Sequence, residues 1–188
     1  MLLLLIGMAP WLIRLLYSAD FAPAAMLLQW QTVGNVFKLA SWALGFSIVA
    51  AARGKTFFLV QINFNILFLL MLWPAVTSLG IIAAGPAFSI AYLLHFGLLC
   101  FLARRIHGFR WAPLSLGLLG LHAGLAVALL ALALTAPFAA ALASPALAAA
   151  TGLFGLRVVL VKIGPEGRLA THLTRFYASI GWPVRSTA

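Results

Sequence analysis

Acidic residues are nearly absent from this sequence. Its 188 residues contain 2 Asp+Glu against 12 Lys+Arg, which gives a net charge of +10, and only 7% of them are charged. A soluble domain has about a quarter of its residues charged. Because 65% of the residues are hydrophobic, the chain cannot build a water-facing shell, which excludes a water-soluble globular enzyme. A disordered tail is also excluded, since it needs low hydrophobicity, and an integral membrane protein remains.

The residues of common active sites are also scarce. A single cysteine, Cys100, excludes an intrachain disulfide and a thiolate metal cluster. There is no Gly-rich phosphate loop, no Ser/His/Asp set and no pair of carboxylates. We therefore expect no metal, no cofactor and no enzymatic activity, and a membrane-embedded transferase is the least favoured class. Metal-ligand spacing is likewise missing from the four histidines, which are His95, His107, His122 and His172.

Long apolar runs are abundant. A helix needs about 20 apolar residues to cross a bilayer, and short connections with Gly, Pro, Ser or charge separate such runs here. The pattern predicts an all-α polytopic membrane helix bundle. A cleaved signal peptide over residues 1–19 is less favoured because the basic n-region is missing. The six predicted spans are residues 1–16, 26–51, 57–79, 81–103, 113–134 and 145–163.

The loop charges predict the orientation. Basic connections alternate strictly with connections that lack Lys and Arg, as the positive-inside rule requires. Both termini are then cytoplasmic, and the positive charge marks topology rather than a nucleic-acid partner. Ten of the 12 basic residues follow this pattern: Arg53, Lys55, Arg104, Arg105, Arg110, Arg157, Lys162, Arg168, Arg175 and Arg185.

Lys38 is one of the two basic residues that topology does not explain. It lies near the centre of the second span, where a cation costs about 2.5 to 3.5 kcal/mol on insertion scales. Gln31, Asn35 and Trp42 share its helix face, because the four positions are three or four residues apart. We favour a cationic wall that meets an anionic substrate. The alternative is a lysine satisfied by carbonyls or by an acid, of which the chain has only two.

The other unexplained basic residue is Arg14, near the outer end of the first span. It is a candidate substrate contact, but it could equally reach the interface or pair with Asp20. A further set of side chains predicts a polar cavity, although amides and hydroxyls also join membrane helices without other function. That set comprises Gln61 and Asn65 of the third span, and Tyr92 and His95 of the fourth.

The last part of the sequence predicts scaffold and a surface helix. Gly117, Gly120 and Gly124 form a small-residue stripe that suits close helix packing. Beyond the sixth span, apolar residues recur at helical spacing between basic ones, which is typical of an interfacial helix, with Trp182 as its membrane anchor. The alternative is a loosely ordered basic tail. The apolar positions are Leu169, Leu173, Phe176 and Ile180, and the flanking ones are Arg168, His172 and Arg175.

Residues 1–110 resemble a known family, the O-antigen and enterobacterial common antigen translocases. These are lipid-linked oligosaccharide flippases of the multidrug/oligosaccharidyl-lipid/polysaccharide exporter superfamily. The second span carries the most specific likeness. The matching residues are Leu16-Tyr17-Ser18, Phe21, Gln29-Trp30-Gln31, Gly34, Lys38, Trp42 and Gly45, then Asn63, Asn65, Gly80, Gly85, Ala91-Tyr92 and Arg104-Arg105.

The resemblance implies a fold, a partner and a function. Members look like two six-helix bundles with a substrate path between them, so residues 1–110 match the last four of twelve helices. Residues 111–163 then add two spans, and residues 164–188 a basic cytoplasmic tail. We expect the chain to be the C-terminal portion of a flippase whose N-terminal lobe, with any ion-coupling carboxylate, is missing here.

Two function classes stay open on the sequence. The first is part of a transporter that flips undecaprenyl-pyrophosphate-linked oligosaccharide across the bacterial inner membrane. Lys38, Asn35, Gln31 and Trp42 would then contact the cargo, and membrane lipids and other polysaccharide-pathway proteins would be partners. The second is a non-transport assembly or interaction subunit of polysaccharide biosynthesis, which predicts a complete gene of its own.

Overall fold

The computed structural model describes residues 1–163 and 168–184. Arg185 and the second acid, Glu166, lie outside these residues. The described residues form seven α-helices, and single turns of 3-10 helix at Ala19–Phe21 and Ile81–Ala83 lead into the second and fourth of them. The helices are α1 (Leu2–Leu16), α2 (Ala22–Ala50), α3 (Gly54–Leu79), α4 (Ala84–His107), α5 (Pro113–Thr135), α6 (Pro137–Ile163) and α7 (Arg168–Ser179).

Helix length and composition agree with the predicted class. Five helices, α2 to α6, are long and apolar enough to cross a membrane. The 15 residues of α1 extend roughly 22 Å at 1.5 Å per residue. This length is less than the thickness of the bilayer's hydrocarbon core, which is about 30 Å. The prediction of an all-α polytopic membrane bundle is confirmed.

One helix begins well before its predicted start. The sequence places the sixth span at residues 145–163, whereas α6 already begins at Pro137 and contains Pro145. Proline suits the first position of a helix, where its missing N–H has no partner in any case. The alanines around Pro145 are strong helix formers, and prolines are tolerated inside membrane helices. The expected connection of residues 135–144 therefore shrinks to Ala136.

Two glycines with positive φ end helices. Gly80 follows α3 with φ +77°, and Gly108 follows α4 with φ +67°. The Gly108 N–H donates to the carbonyl of Arg104 at 3.0 Å, which closes the last turn of the helix. A side chain at either position would meet its own backbone, so these glycines allow the tight turns that lead into the next helix.

The chain divides into two compact units, Leu2–Ser144 and Pro145–Ala188, the latter together with Met1. In the first unit α2 is central and packs against α1, α4 and α5, while α3 packs mainly on α4. Two glycines allow the close approach of α2 and α4. A Cβ on Gly34 would lie 2.8 Å from Phe88 Cδ1, and one on Gly85 would lie 2.7 Å from Trp30 Cβ.

The predicted glycine stripe of α5 does not take part in this packing. No described atom outside the local helix lies within 4 Å of a Cβ built on Gly117, Gly120 or Gly124. The glycines that do meet a neighbouring helix are in α1, α2 and α4. The expectation of close packing at the α5 stripe is therefore wrong for the described residues, because spacing on one helix cannot say which face a neighbour covers.

The second unit is a helical hairpin built around Tyr177. This side chain is fully buried, and its hydroxyl donates to the carbonyl of Leu153 at 2.5 Å. Trp182 stacks on Phe154, with 6.1 Å between ring centroids, and the Arg157 guanidinium lies 4.7 Å from the Trp182 ring. Residues 168–179 thus form the helix that the apolar spacing predicts. Its position at a membrane surface stays a prediction.

Candidate functional site

Lys38 lies midway along α2. It follows the start of the helix at Ala22 by sixteen residues, roughly 24 Å at 1.5 Å per residue. Its side chain is half-buried. Asp20, the one acid among the described residues, is exposed and accepts from the Ser18 hydroxyl at 3.5 Å. Within the described part of the chain, Lys38 therefore has no carboxylate partner.

Three aromatic rings surround the Lys38 ammonium instead. Its Nζ atom lies 5.4 Å from the ring centroid of Trp42, 5.5 Å from that of Tyr92 and 5.8 Å from that of Phe88. We call these three rings the aromatic cage. Each cation–π contact is worth about 1 kcal/mol, so together they are comparable to the insertion cost of about 2.5 to 3.5 kcal/mol. The cage makes a lysine tolerable in the membrane without neutralising its charge.

Helix periodicity and helix packing build the cage together. Trp42 follows Lys38 by four residues, so the two side chains share one face of α2. Phe88 and Tyr92 are also four apart, on α4, and their rings pack against each other at 4.7 Å. The α2–α4 contact aligns the two pairs, and the Ser89 hydroxyl secures it by donating to the carbonyl of Trp30 at 2.6 Å.

Gln31 and Asn35 precede Lys38 on the same helix face and are half-buried. Neither amide has a hydrogen-bond partner among residues 1–163 and 168–184. An amide offers two donors and a carbonyl acceptor. The face that the sequence predicts to be functional thus combines a held cation with two unpaired amides, which suits an anionic, hydroxyl-rich ligand.

The four residues of the predicted polar cavity separate into different surroundings. Tyr92 belongs to the cage. Gln61 and His95 line a cleft of about 190 Å³ between α2, α3 and α4. Asn65 is exposed, and its amide donates to the Gln61 carbonyl one turn earlier at 3.1 Å.

Arg14 lies far from Lys38. It is in the last turn of α1, next to the start of α2, and it is exposed. Its guanidinium lies 5.7 Å from the Trp11 ring and forms no ion pair with Asp20. The structure therefore does not bring Arg14 into the cage, and its contact with a substrate stays a prediction.

The sequence reasoning missed one member of the site, Phe88. The signal was present, because Phe88 precedes Tyr92 by one helical turn, but on α4 the predicted cavity included only Tyr92 and His95, which are polar. Phe64 of α3 was missed as well, and it packs on Tyr92 at 4.3 Å and on His95 at 5.1 Å. An aromatic ring in an apolar span is ordinary by composition, so its role appears only when a cation lies beside it.

No family model matches the chain, and no solved structure matches it either. Two curated proteins are similar in sequence, both named Lipid III flippase, from Escherichia coli (strain K12) and Shigella flexneri. Each is 29% identical over 96 residues, which cover 48% of this chain and 23% of the relative. The likeness supports a relationship between about half of the chain and lipid flippases. The chain spans only about a quarter of the length of these relatives.

Proposed function

We propose that the chain forms part of a transporter that moves an undecaprenyl-pyrophosphate-linked oligosaccharide across the bacterial inner membrane. The cargo is an O-antigen or other surface polysaccharide unit. The observation that carries the proposal is the Lys38 ammonium near the middle of the apolar helix α2, held by three rings and not paired with an acid in the described residues. Similarity to proteins named Lipid III flippase supports the same direction.

The physical task of such a transporter is to shield a charged head group. Pyrophosphate and sugars cannot cross hydrocarbon unaided, because burial of unpaired charge is prohibitive. The Lys38 ammonium would form charge-assisted hydrogen bonds to phosphate oxygens, and Gln31 and Asn35 would bind hydroxyls. A lysine that contacts rings and no described carboxylate can exchange these contacts for a phosphate without first breaking an ion pair in this part of the chain. The lipid tail stays in the apolar phase, and no covalent bond changes.

A complete pathway requires partners. Lys38 provides one wall of a path, and rocking of two helix bundles would expose that wall to each side in turn. We propose that the facing wall comes from an N-terminal lobe or from other proteins of the polysaccharide pathway, and that an acid for ion coupling lies there. If both termini are cytoplasmic, the C-terminal end of α2 is cytoplasmic too. That is the side of the membrane on which the cargo is made.

The test is substitution of Lys38 at its chromosomal locus in the host. We expect Lys38→Ala to abolish export of surface polysaccharide and Lys38→Arg to retain part of it, because arginine keeps the charge. Lys55→Ala, in the first turn of α3, is the matched control and should leave export unchanged. Normal surface polysaccharide in Lys38→Ala would remove Lys38 from the mechanism and favour the alternative of a non-transport assembly subunit.

A further inference from the structure

The cleft between α2, α3 and α4 adjoins the cage and has no role in the function proposed above. Its volume is about 190 Å³, and an apolar cavity of about 150 Å³ takes a benzene-sized molecule. It can therefore take about one branched five-carbon unit. Its rim is open, since Phe46 is 69% exposed. The apolar lining residues are Gly45, Phe46, Phe57, Val60 and Leu99.

Trp42 joins the cleft to the cation. Its ring lines the cleft and is also the cage ring closest to the Lys38 ammonium, at 5.4 Å. Two other lining residues lie farther along α2 and α4, which run parallel: Gly45 follows Lys38 by two turns on α2, and Leu99 follows Tyr92 by two turns on α4. A ligand in the cleft therefore has a positive charge at one end and apolar walls along its length.

His95 marks the polar end of the cleft. Its side chain is 4% exposed, and its Nδ1 atom has no hydrogen-bond partner among the described residues. The imidazole lies 6.1 Å from the ring of Tyr92, a member of the cage. An unpaired buried nitrogen is costly, so this position favours a ligand that brings a polar atom to the end nearest Lys38.

We infer that the cleft binds the first isoprene unit of a polyprenyl phosphate, with the phosphate against Lys38. This rests on the proposed function and adds the seat of the lipid chain. Phosphates of bulk phospholipids lie at the membrane surface, roughly 18 to 24 Å from Lys38 along α2 at 1.5 Å per residue. To fill the cleft with its chain and contact the Lys38 ammonium with its phosphate, a lipid must therefore carry its phosphate to the middle of the membrane.

The experiment uses photocrosslinking from two matched phenylalanine positions. Benzoylphenylalanine replaces Phe46, at the rim of the cleft, or Phe58, which is 65% exposed on α3 and does not line the cleft. The full chain is reconstituted in phosphatidylethanolamine and phosphatidylglycerol vesicles that contain radiolabelled polyprenyl phosphate. Labelled phosphatidic acid and labelled polyprenol replace it in parallel samples, to separate the phosphate from the chain.

We expect polyprenyl phosphate to label position 46 and not position 58. Lys38→Ala should reduce that labelling about tenfold, the loss of one charge-assisted hydrogen bond, while Lys38→Arg should keep it and show that the fold is intact. Equal labelling of the two positions would overturn the inference. Labelling of position 46 that is indifferent to Lys38→Ala, or equally strong with phosphatidic acid, would overturn it too.

The experiments distinguish an error in the inferred lipid site from an error in the proposed transport function. Specific labelling of position 46, combined with normal polysaccharide export in Lys38→Ala cells, supports the lipid seat and contradicts the proposed transport role of Lys38. Loss of export in Lys38→Ala cells without specific labelling of position 46 supports that role and contradicts the lipid seat.

Discussion

Gly34 controls how closely α2 approaches α4, and replacing it with alanine tests both the packing and the cage. The new Cβ would lie 2.8 Å from Phe88 Cδ1 and 2.9 Å from Ser89 Cα. Favourable carbon–carbon separations are about 3.5 to 4.0 Å. Because Ser89 Cα belongs to the backbone, no rotamer change relieves the overlap, and the helices must separate by roughly 0.6 Å or more.

Two opposing terms determine the free energy of this change. Overpacking destabilises the fold by about 1 to 3 kcal/mol, whereas the higher helix propensity of alanine stabilises it by at most about 1 kcal/mol. We expect Gly34→Ala to lower the free energy of unfolding by about 1 kcal/mol. Gly120→Ala on α5 is the matched control, since nothing described lies within 4 Å of its Cβ. It should be neutral or slightly stabilising.

The assay is unfolding of the purified protein by a denaturing detergent, followed by loss of helical circular dichroism. Both variants gain the same helix propensity from alanine, so this contribution cancels when their free energies of unfolding are subtracted. The difference between the two free energies should equal the overpacking cost of about 1 to 3 kcal/mol. A Gly34→Ala protein as stable as Gly120→Ala would show that the α2–α4 approach is not as close as described. Close contact between α2 and α4 would then not be what holds the cage rings around Lys38.

Three further predictions concern other contacts and the topology. Ser89→Ala should lower the free energy of unfolding by about 0.6 to 1.7 kcal/mol in the same assay, because it removes the interhelical hydrogen bond to Trp30. Ser78→Ala is the control and should have no effect, since that hydroxyl bonds only within α3. Tyr177→Phe should increase protease cleavage in α7, and unchanged cleavage would contradict the buried tyrosine as the anchor of the hairpin. In a cysteine-free background, a membrane-impermeant thiol reagent added to intact cells should label Ser78→Cys and not Lys55→Cys; the opposite pattern would invert the predicted orientation.

Much of the helical architecture could be predicted because it depends on local properties. Runs of apolar residues define the helices, and most predicted ends lie within four residues of those observed. The exception at α6 has a local cause, since Pro145 suggests a boundary in sequence but is tolerated inside a membrane helix. The face shared by Gln31, Lys38 and Trp42 was also predictable, because it follows from helix periodicity alone.

The site itself was only half predictable. Lys38 is conspicuous because a charge at mid-span is costly, whatever surrounds it. Its partners Phe88 and Tyr92 are fifty or more positions away, and their rings look ordinary until α4 packs on α2. The separation of Arg14 from Lys38 could not be predicted for a similar reason. The charges of two residues on different helices do not determine the distance between them.

The scarcity of acids and the length of the apolar runs determine, by themselves, that this protein is a membrane helix bundle with an exceptional lysine. Both conclusions rest on transfer free energies of single residues and segments, which do not depend on the neighbours of those residues. The tertiary structure alone decides that, among residues 1–163 and 168–184, the lysine contacts aromatic rings and no carboxylate, and that an apolar cleft begins at Trp42. Those features arise from close contact between distant helices, which glycines at the α2–α4 interface permit.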